Sequence, residues 1–129
     1  MGEKRKIRTI LVVDDDKTIT VLLKKYLEKE GYKVTAMNEA SEGLEFAMTR
    51  KPDLIVLDIM MPIINGFNFC RLVKAEENTK DIPVIMLTSR NKLKDIEIGL
   101  EMGAEAYLIK PLNVVELLKT IKVIESAED

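Results

Sequence analysis

The chain has 129 residues, 47% of them apolar and 33% charged, with a formal net charge of −2 and no histidine. That length suits one domain able to bury roughly two thirds of its unfolded surface, and no apolar run approaches the ~20 residues a membrane span needs, so the sequence reads as a soluble globular protein. Without histidine there are no imidazole metal sites, no His-dependent triads and no phosphohistidine on this chain itself, and basic residues spread along the whole chain argue against a nucleic-acid footprint.

The opening MGEKRKIR is basic but leads into a run too short for a signal sequence, and it lacks the Ser or Thr at position 6 that myristoylation wants. Residues 1–8 are therefore expected to be a solvated tail. Residues 9–13, Thr-Ile-Leu-Val-Val, form a continuous apolar run of the kind a strand buried on both faces shows. Three aspartates follow. Ile19, Leu22, Leu23, Tyr26 and Leu27 then recur at helical spacing, with Gly31 as a stop. Residues 33–36 alternate polar with apolar, which predicts a strand at the sheet edge. Asn38 or Ser41 can cap the next helix, whose apolar face is Ala40, Leu44, Ala47 and Met48. Residues 51–53, Lys-Pro-Asp, turn the chain back into the apolar strand of residues 54–57.

Asp58 ends that strand, and a Pro/Gly-punctuated loop to Gly66 precedes a helix expected to carry Phe69, Cys70 and Val73 inward. A single cysteine forms no internal disulfide, so Cys70 is read as core packing in a reducing cytoplasm. Pro83 opens a strand over residues 84–87, which leads to Thr88 and Ser89. Leu93, Ile96 and Leu100 mark a weaker helix stopped at Gly103. A fifth strand, residues 106–109, ends at Lys110-Pro111. Asn113 caps a last helix with Val114, Leu117, Leu118, Ile121 and Ile124 on one face, and residues 126–129 form a polar tail. The whole of 1–129 is expected to be one domain without an effector in this chain, and a stand-alone receiver, a relay intermediate and the front domain of a longer regulator all remain open.

Five strands alternating with five helices imply a parallel sheet covered on both faces with right-handed crossovers. The economical architecture is α/β, a flavodoxin-like doubly wound sandwich of strand order 2-1-3-4-5, whose site lies beyond the carboxyl ends of the strands. What stands there is Asp14-Asp15 after the first strand, Asp58 after the third, Thr88-Ser89 after the fourth and Lys110 after the fifth. Taken singly, each is an ordinary helix cap, turn former or surface group. Independent caps have no reason to converge at one switch point, and converging carboxylates repel unless a cation compensates. Hard oxygen ligands without His or Cys select Mg²⁺ over Zn²⁺. Such a pocket suits a phosphoryl group, with Lys110 and the Thr88 hydroxyl aimed at its oxygens and a carboxylate as nucleophile.

ILVVDDD, LIVLDIMMP followed two residues later by NG, VIMLTS and AYLIKP, in this order and over essentially the whole chain, resemble the receiver domain of two-component response regulators. The resemblance implies a phosphorylation-activated switch, not a turnover enzyme, in which Asp58 is the phosphoacceptor, taking its phosphoryl group from a sensor histidine kinase or a histidine phosphotransfer protein. It implies that Asp15, Asp58 and the backbone carbonyl of Met60 ligate Mg²⁺, or Mn²⁺ in its place, with Asp14 acting mainly through water. Thr88 and Lys110 would contact the phosphoryl oxygens, and Tyr107 would rotate with Thr88 and change the surface of the fourth helix, fifth strand and fifth helix. Met60 and Arg90 would flank the site and affect how long the phosphoryl group survives, and Lys110-Pro111 would be a cis bond. Asn65 stands where many members have Asp, a change that preserves the turn.

The resemblance further implies a cytoplasmic protein that controls a downstream protein or an attached output, with phosphorylation-dependent dimerisation as one form of that output; the spread of basic charge and the lack of a long apolar run speak against nucleic acid and membrane as direct partners of this chain. Two rival readings differ in class. A Mg²⁺-dependent phosphatase with an Asp nucleophile wants a second Asp two residues on, where this chain has Met60. A docking module indifferent to phosphorylation would bind its partner equally well as Asp58→Ala.

Overall fold

In the computed structural model, which describes residues 6–89 and 92–127, the alternation of apolar runs and amphipathic segments becomes β1 (Thr9–Val13), α1 (Lys17–Lys29), β2 (Lys33–Met37), α2 (Ala40–Arg50), β3 (Leu54–Leu57), α3 (Gly66–Ala75), β4 (Val84–Thr88), α4 (Leu93–Glu101), β5 (Ala106–Ile109) and α5 (Val114–Ser126). The five strands form one sheet in the order β2-β1-β3-β4-β5, and every pairing is parallel. The α/β doubly wound sandwich expected from the sequence is the fold observed.

Side chains alternate faces along a strand, so each central strand divides its aliphatic residues between two cores. Ile10, Val12, Leu54, Val56, Ile85 and Leu87 pack with Leu23 and Leu27 of α1 and with Leu117, Ile121 and Ile124 of α5. Leu11, Val13, Ile55, Leu57, Val84 and Met86 face the other way, against Ala40 and Ala47 of α2 and Phe69, Cys70 and Val73 of α3. Both faces of β3 and β4 are covered, which is why their sequences read as pure hydrocarbon. The edges are β2, as its alternation predicts, and β5. No helix among the described residues is long and apolar enough to cross a membrane.

The structure departs from the sequence reading in five places. Ile7, assigned to the solvated N-terminal tail, is buried in the α1/α5 core, and Ser126, assigned to the C-terminal tail, ends α5. Neither Asn38 nor Ser41 caps α2; Glu39 holds that position without a side-chain hydrogen bond. Leu22 is exposed on α1. In α4 two of the three residues expected on the apolar face are turned outward, Leu93 70% and Leu100 48% exposed, with Ile96 half-buried, while Asp95 and Gly99 are buried. The reason at Gly99 is steric: a Cβ there would come within 2.9 Å of Met86 Sδ and of the Tyr107 ring, so α4 approaches the sheet through its glycine, not its leucines.

In the loop after β3, Ile63 has a φ of 70° and a side chain that is 100% exposed. A β-branched residue in the left-handed region is disfavoured by about 1–2 kcal/mol, and no burial offsets it here. Part of any gain from glycine is lost to the greater freedom of the unfolded chain. Ile63→Gly is therefore expected to raise stability by about 0.5–1 kcal/mol, read as a higher urea midpoint at unchanged slope.

Candidate functional site

The sheet continues past its last regular residues, and that continuation positions the polar groups. The Asp14 N–H donates to the Met37 carbonyl at 3.2 Å, the Asp58 N–H to the Val13 carbonyl at 3.0 Å, and the Lys110 N–H to the Thr88 carbonyl at 2.8 Å. Each functional residue is thus hydrogen-bonded to the end of a neighbouring strand before its side chain does anything. Behind Asp58 the loop folds back through a hydrogen bond from the Gly66 N–H to the Ile59 carbonyl. A Cβ on Gly66 would lie 2.6 Å from both the Asp58 carbonyl oxygen and the Ile59 Cα, so glycine alone allows α3 to start this close to the acidic strand end.

Carboxylate oxygens of Asp14, Asp15 and Asp58 lie within 4.8 Å of one another. Asp14 and Asp58 are buried, whereas Asp15 is exposed. Lys110 Nζ donates to Asp14 Oδ2 at 2.9 Å and stands 3.6 Å from Asp58 Oδ2. The other Asp14 oxygen accepts from the Asp16 N–H at 2.9 Å, and Asp58 Oδ1 accepts from the Met60 N–H at 3.2 Å. Burial raises the pKa of Asp14 against the opposing pull of the Asp16 N–H and Lys110. Burial alone would depress the Lys110 ammonium, but its hydrogen bond to Asp14 and the charge of Asp58 outweigh it and hold Lys110 above its ordinary range. Desolvation thus dominates at the carboxyl and pairing dominates at the ammonium.

Thr88 is fully buried at the end of β4. Ser89 follows it, exposed, with its hydroxyl directed at Met60 Sδ at 3.7 Å. Tyr107 is half-buried and its ring lies against the Gly99 position of α4. The Lys110–Pro111 bond is cis. Arg90 lies outside the described residues. The structure brings together Asp14, Asp15, Asp58 and Lys110, and sets Met60 beside Ser89.

Three residues bear on the site that the sequence reading did not assign to it. Asn38 donates from Nδ2 to the Asp14 carbonyl at 2.8 Å and to Thr20 Oγ1 at 3.0 Å, tying the acidic loop to the end of β2. Its place directly after the edge strand was the available signal, and it was read as a helix cap. Gly66 and Gly99 act by what they lack, and only the approach of the neighbouring backbone or ring reveals it.

The family model for the response regulator receiver domain matches residues 10–122. The chain belongs to the response regulator receiver family. It is 39% identical over 115 residues to the DNA-binding dual master transcriptional regulator RpaA of Synechocystis. It is likewise 39% identical over 117 residues to the alkaline phosphatase synthesis transcriptional regulatory protein PhoP of Bacillus subtilis. These alignments cover 89% and 91% of this chain but 48% of each relative, so the receiver spans about half the length of those proteins. The Vibrio cholerae chemotaxis protein CheY4 superposes with a TM-score of 0.86 at 31% identity, covering 92% of this chain and 99% of that one. The receiver is a signalling module, homologous to phosphorylatable two-component regulators, and its acidic pocket is consistent with accepting a phosphoryl group.

Two outcomes follow from the electrostatics of this receiver. Without divalent metal, Lys110→Met strands two buried carboxylates beside each other and is expected to cost about 2–3 kcal/mol, less than the roughly 3–5 kcal/mol of a fully buried broken pair because the ammonium is partly exposed; urea unfolding in a chelator measures it. The second concerns pH. A carboxyl whose folded pKa is raised binds more protons folded than unfolded between its ordinary 3.8 and the raised value. Its contribution to stability therefore falls as pH rises through that window and stays unfavourable above it. Asp14→Asn is expected to flatten this part of the metal-free stability profile.

Proposed function

We propose that this receiver is switched by phosphorylation of Asp58. The observation that carries the reading is the Lys110 ammonium held 2.9 Å from Asp14 and 3.6 Å from Asp58, within an all-oxygen cluster that Asp15 completes. Three carboxylates with no nitrogen or sulfur ligand beside them fit a hard cation such as Mg²⁺ or Mn²⁺. Asp14, Asp15, Asp58 and the Met60 carbonyl would hold it. A bound Mg²⁺ supplies charge neutralisation to phosphoryl oxygens.

In the proposed step an Asp58 carboxylate oxygen attacks phosphorus, the bond from phosphorus to the donor nitrogen breaks, and an acyl phosphate forms. The donor is the phosphohistidine of a sensor kinase or phosphotransfer protein. Lys110 keeps its charge and moves its ion pair from Asp14 to the new phosphoryl oxygens, and the Thr88 hydroxyl turns toward them. Thr88 and Met86 face the same side of β4, and Met86 and Tyr107 both border the Gly99 position of α4. A shift of Thr88 that lets Tyr107 turn inward therefore alters the α4–β5–α5 surface. Leu93 and Leu100 on α4, with Val115 and Val123 on α5, are exposed there. This is the face we assign to a downstream protein or to dimerisation. Phosphorylation favours the state in which Thr88 and Lys110 gain these contacts. We place this single domain in the cytoplasm, without catalytic turnover of any substrate beyond its own acyl phosphate.

Incubation with acetyl phosphate and Mg²⁺ is expected to add one phosphoryl mass to the wild type and none to Asp58→Asn, and a chelator is expected to abolish the gain. A mutant that gains as much as wild type would sink the assignment, and multiple turnovers of a phosphate ester would favour the phosphatase reading.

A further inference from the structure

Met60 stands two residues after Asp58, and its side chain is 54% exposed. Met61 and Met86 are buried, and Met37, Met48 and Met102 are half-buried, so among the described residues Met60 is the thioether most open to solvent. It sits in the loop after β3, while Ser89, whose hydroxyl meets its sulfur at 3.7 Å, sits in the loop after β4. These strands are neighbours. The contact therefore bridges the carboxyl ends of β3 and β4, where Asp58 and Thr88 are themselves buried. The Met60 backbone also touches the proposed nucleophile directly, through its N–H to Asp58 Oδ1 at 3.2 Å.

The other soft nucleophile is out of reach. The Cys70 side chain is fully buried, and burial pushes its thiol up to about 11. It carries almost no thiolate near neutrality and presents no surface to an oxidant.

We infer that Met60 is a modification site for hydroperoxides, and that its oxidation to the sulfoxide shortens the life of the phosphoryl group on Asp58. The inference rests on the proposed phosphorylation of Asp58. In the oxidation, a sulfur lone pair attacks one peroxide oxygen and the O–O bond breaks. Sulfur becomes the sulfoxide, and hydrogen peroxide is reduced to water. A flexible apolar side chain with a weak sulfur acceptor becomes a polar one with a strong oxygen acceptor. In place of hydrocarbon beside the acyl phosphate, the bridge between the strand ends then holds water. Hydrolysis needs such a water: its oxygen attacks phosphorus, the bond to the Asp58 oxygen breaks, and inorganic phosphate leaves with the carboxylate restored.

The test uses the full chain. Limited hydrogen peroxide, followed by peptide mass mapping with fragment ions that separate Met60 from Met61, is expected to find Met60 oxidised before Met37, Met48, Met61, Met86 and Met102. Protein charged with acetyl phosphate and Mg²⁺, then freed of donor, is followed by intact mass. Peroxide treatment is expected to shorten the half-life of the phosphoryl group severalfold in the wild type. Met60→Leu, compared with its own untreated sample, is expected to show no peroxide effect, and Met60→Gln is expected to decay like the oxidised wild type without any peroxide. Treatment of the oxidised protein with methionine sulfoxide reductase is expected to restore the longer lifetime.

Earlier oxidation of Met37, Met48, Met61, Met86 or Met102 overturns the inference. So does an oxidised Met60 with an unchanged or longer lifetime, or an equal peroxide effect in Met60→Leu. Failure of the untreated wild type to take up phosphoryl overturns the parent reading and this one together, whereas uptake with a peroxide-insensitive lifetime overturns this one alone.

Discussion

The Lys110 ammonium between Asp14 and Asp58 is the interaction on which the architecture of the site depends. Two buried carboxylates with a third close by repel strongly in a medium less polarisable than water, and the aliphatic strands beneath them offer no compensation. β5 lies three positions from β1 in the sheet, so Lys110 reaches across the ends of β4 and β3 to Asp14. Its backbone is fixed by the hydrogen bond to Thr88, which leaves only the long side chain free to change partners. Lysine suits this role: its compact charge on a flexible stem can swing from one oxygen to another without a fixed fork geometry to satisfy.

The sheet supplies the remaining link between site and surface. Because side chains alternate along β4, Thr88 at the strand end and Met86 two residues earlier share a face, and that face meets α4 where Gly99 leaves room for the Tyr107 ring. α4 thus meets the sheet at Gly99 and also buries Asp95, while its leucines face solvent. α3 packs differently, with Phe69, Cys70 and Val73 fully buried. The fold sets α4 beside β4, the strand that ends at Thr88.

Most of the architecture was legible in the sequence because the central strands are apolar on both faces and the helices carry clear stripes. Asp16, Asn65 and Asn113 accept hydrogen bonds from the first turns of α1, α3 and α5, as their residue types suggest. The convergence of Asp14, Asp15, Asp58 and Lys110 was legible too, since parallel strands deliver their last residues to one edge. α4 was misread because hydrophobic periodicity assumes that the largest apolar residues face inward, and here a ring on the neighbouring strand already fills that space. Asn38 was misread because a polar residue before a helix usually caps it, whereas this one is claimed by the Asp14 carbonyl and Thr20. Both errors have one cause: a partner distant in sequence outbid the local preference.

The charge of the pocket orders the events proposed for it. Three carboxylates against one ammonium leave the site two negative charges in excess, which a single divalent cation cancels. A phosphoryl group brings close to two more negative charges at neutral pH. Had the cation not come first, that group would approach a surface that repels it, and Lys110 would have to leave Asp14 with nothing to replace it. With a cation held there, Asp14 would no longer need the ammonium, and Lys110 would be available for the charge that phosphorylation of Asp58 would bring. The hydrogen bond that Lys110 makes to Asp14 is then the resting position of a mobile charge, and the burial that raises the Asp14 pKa also makes that position costly to leave unfilled.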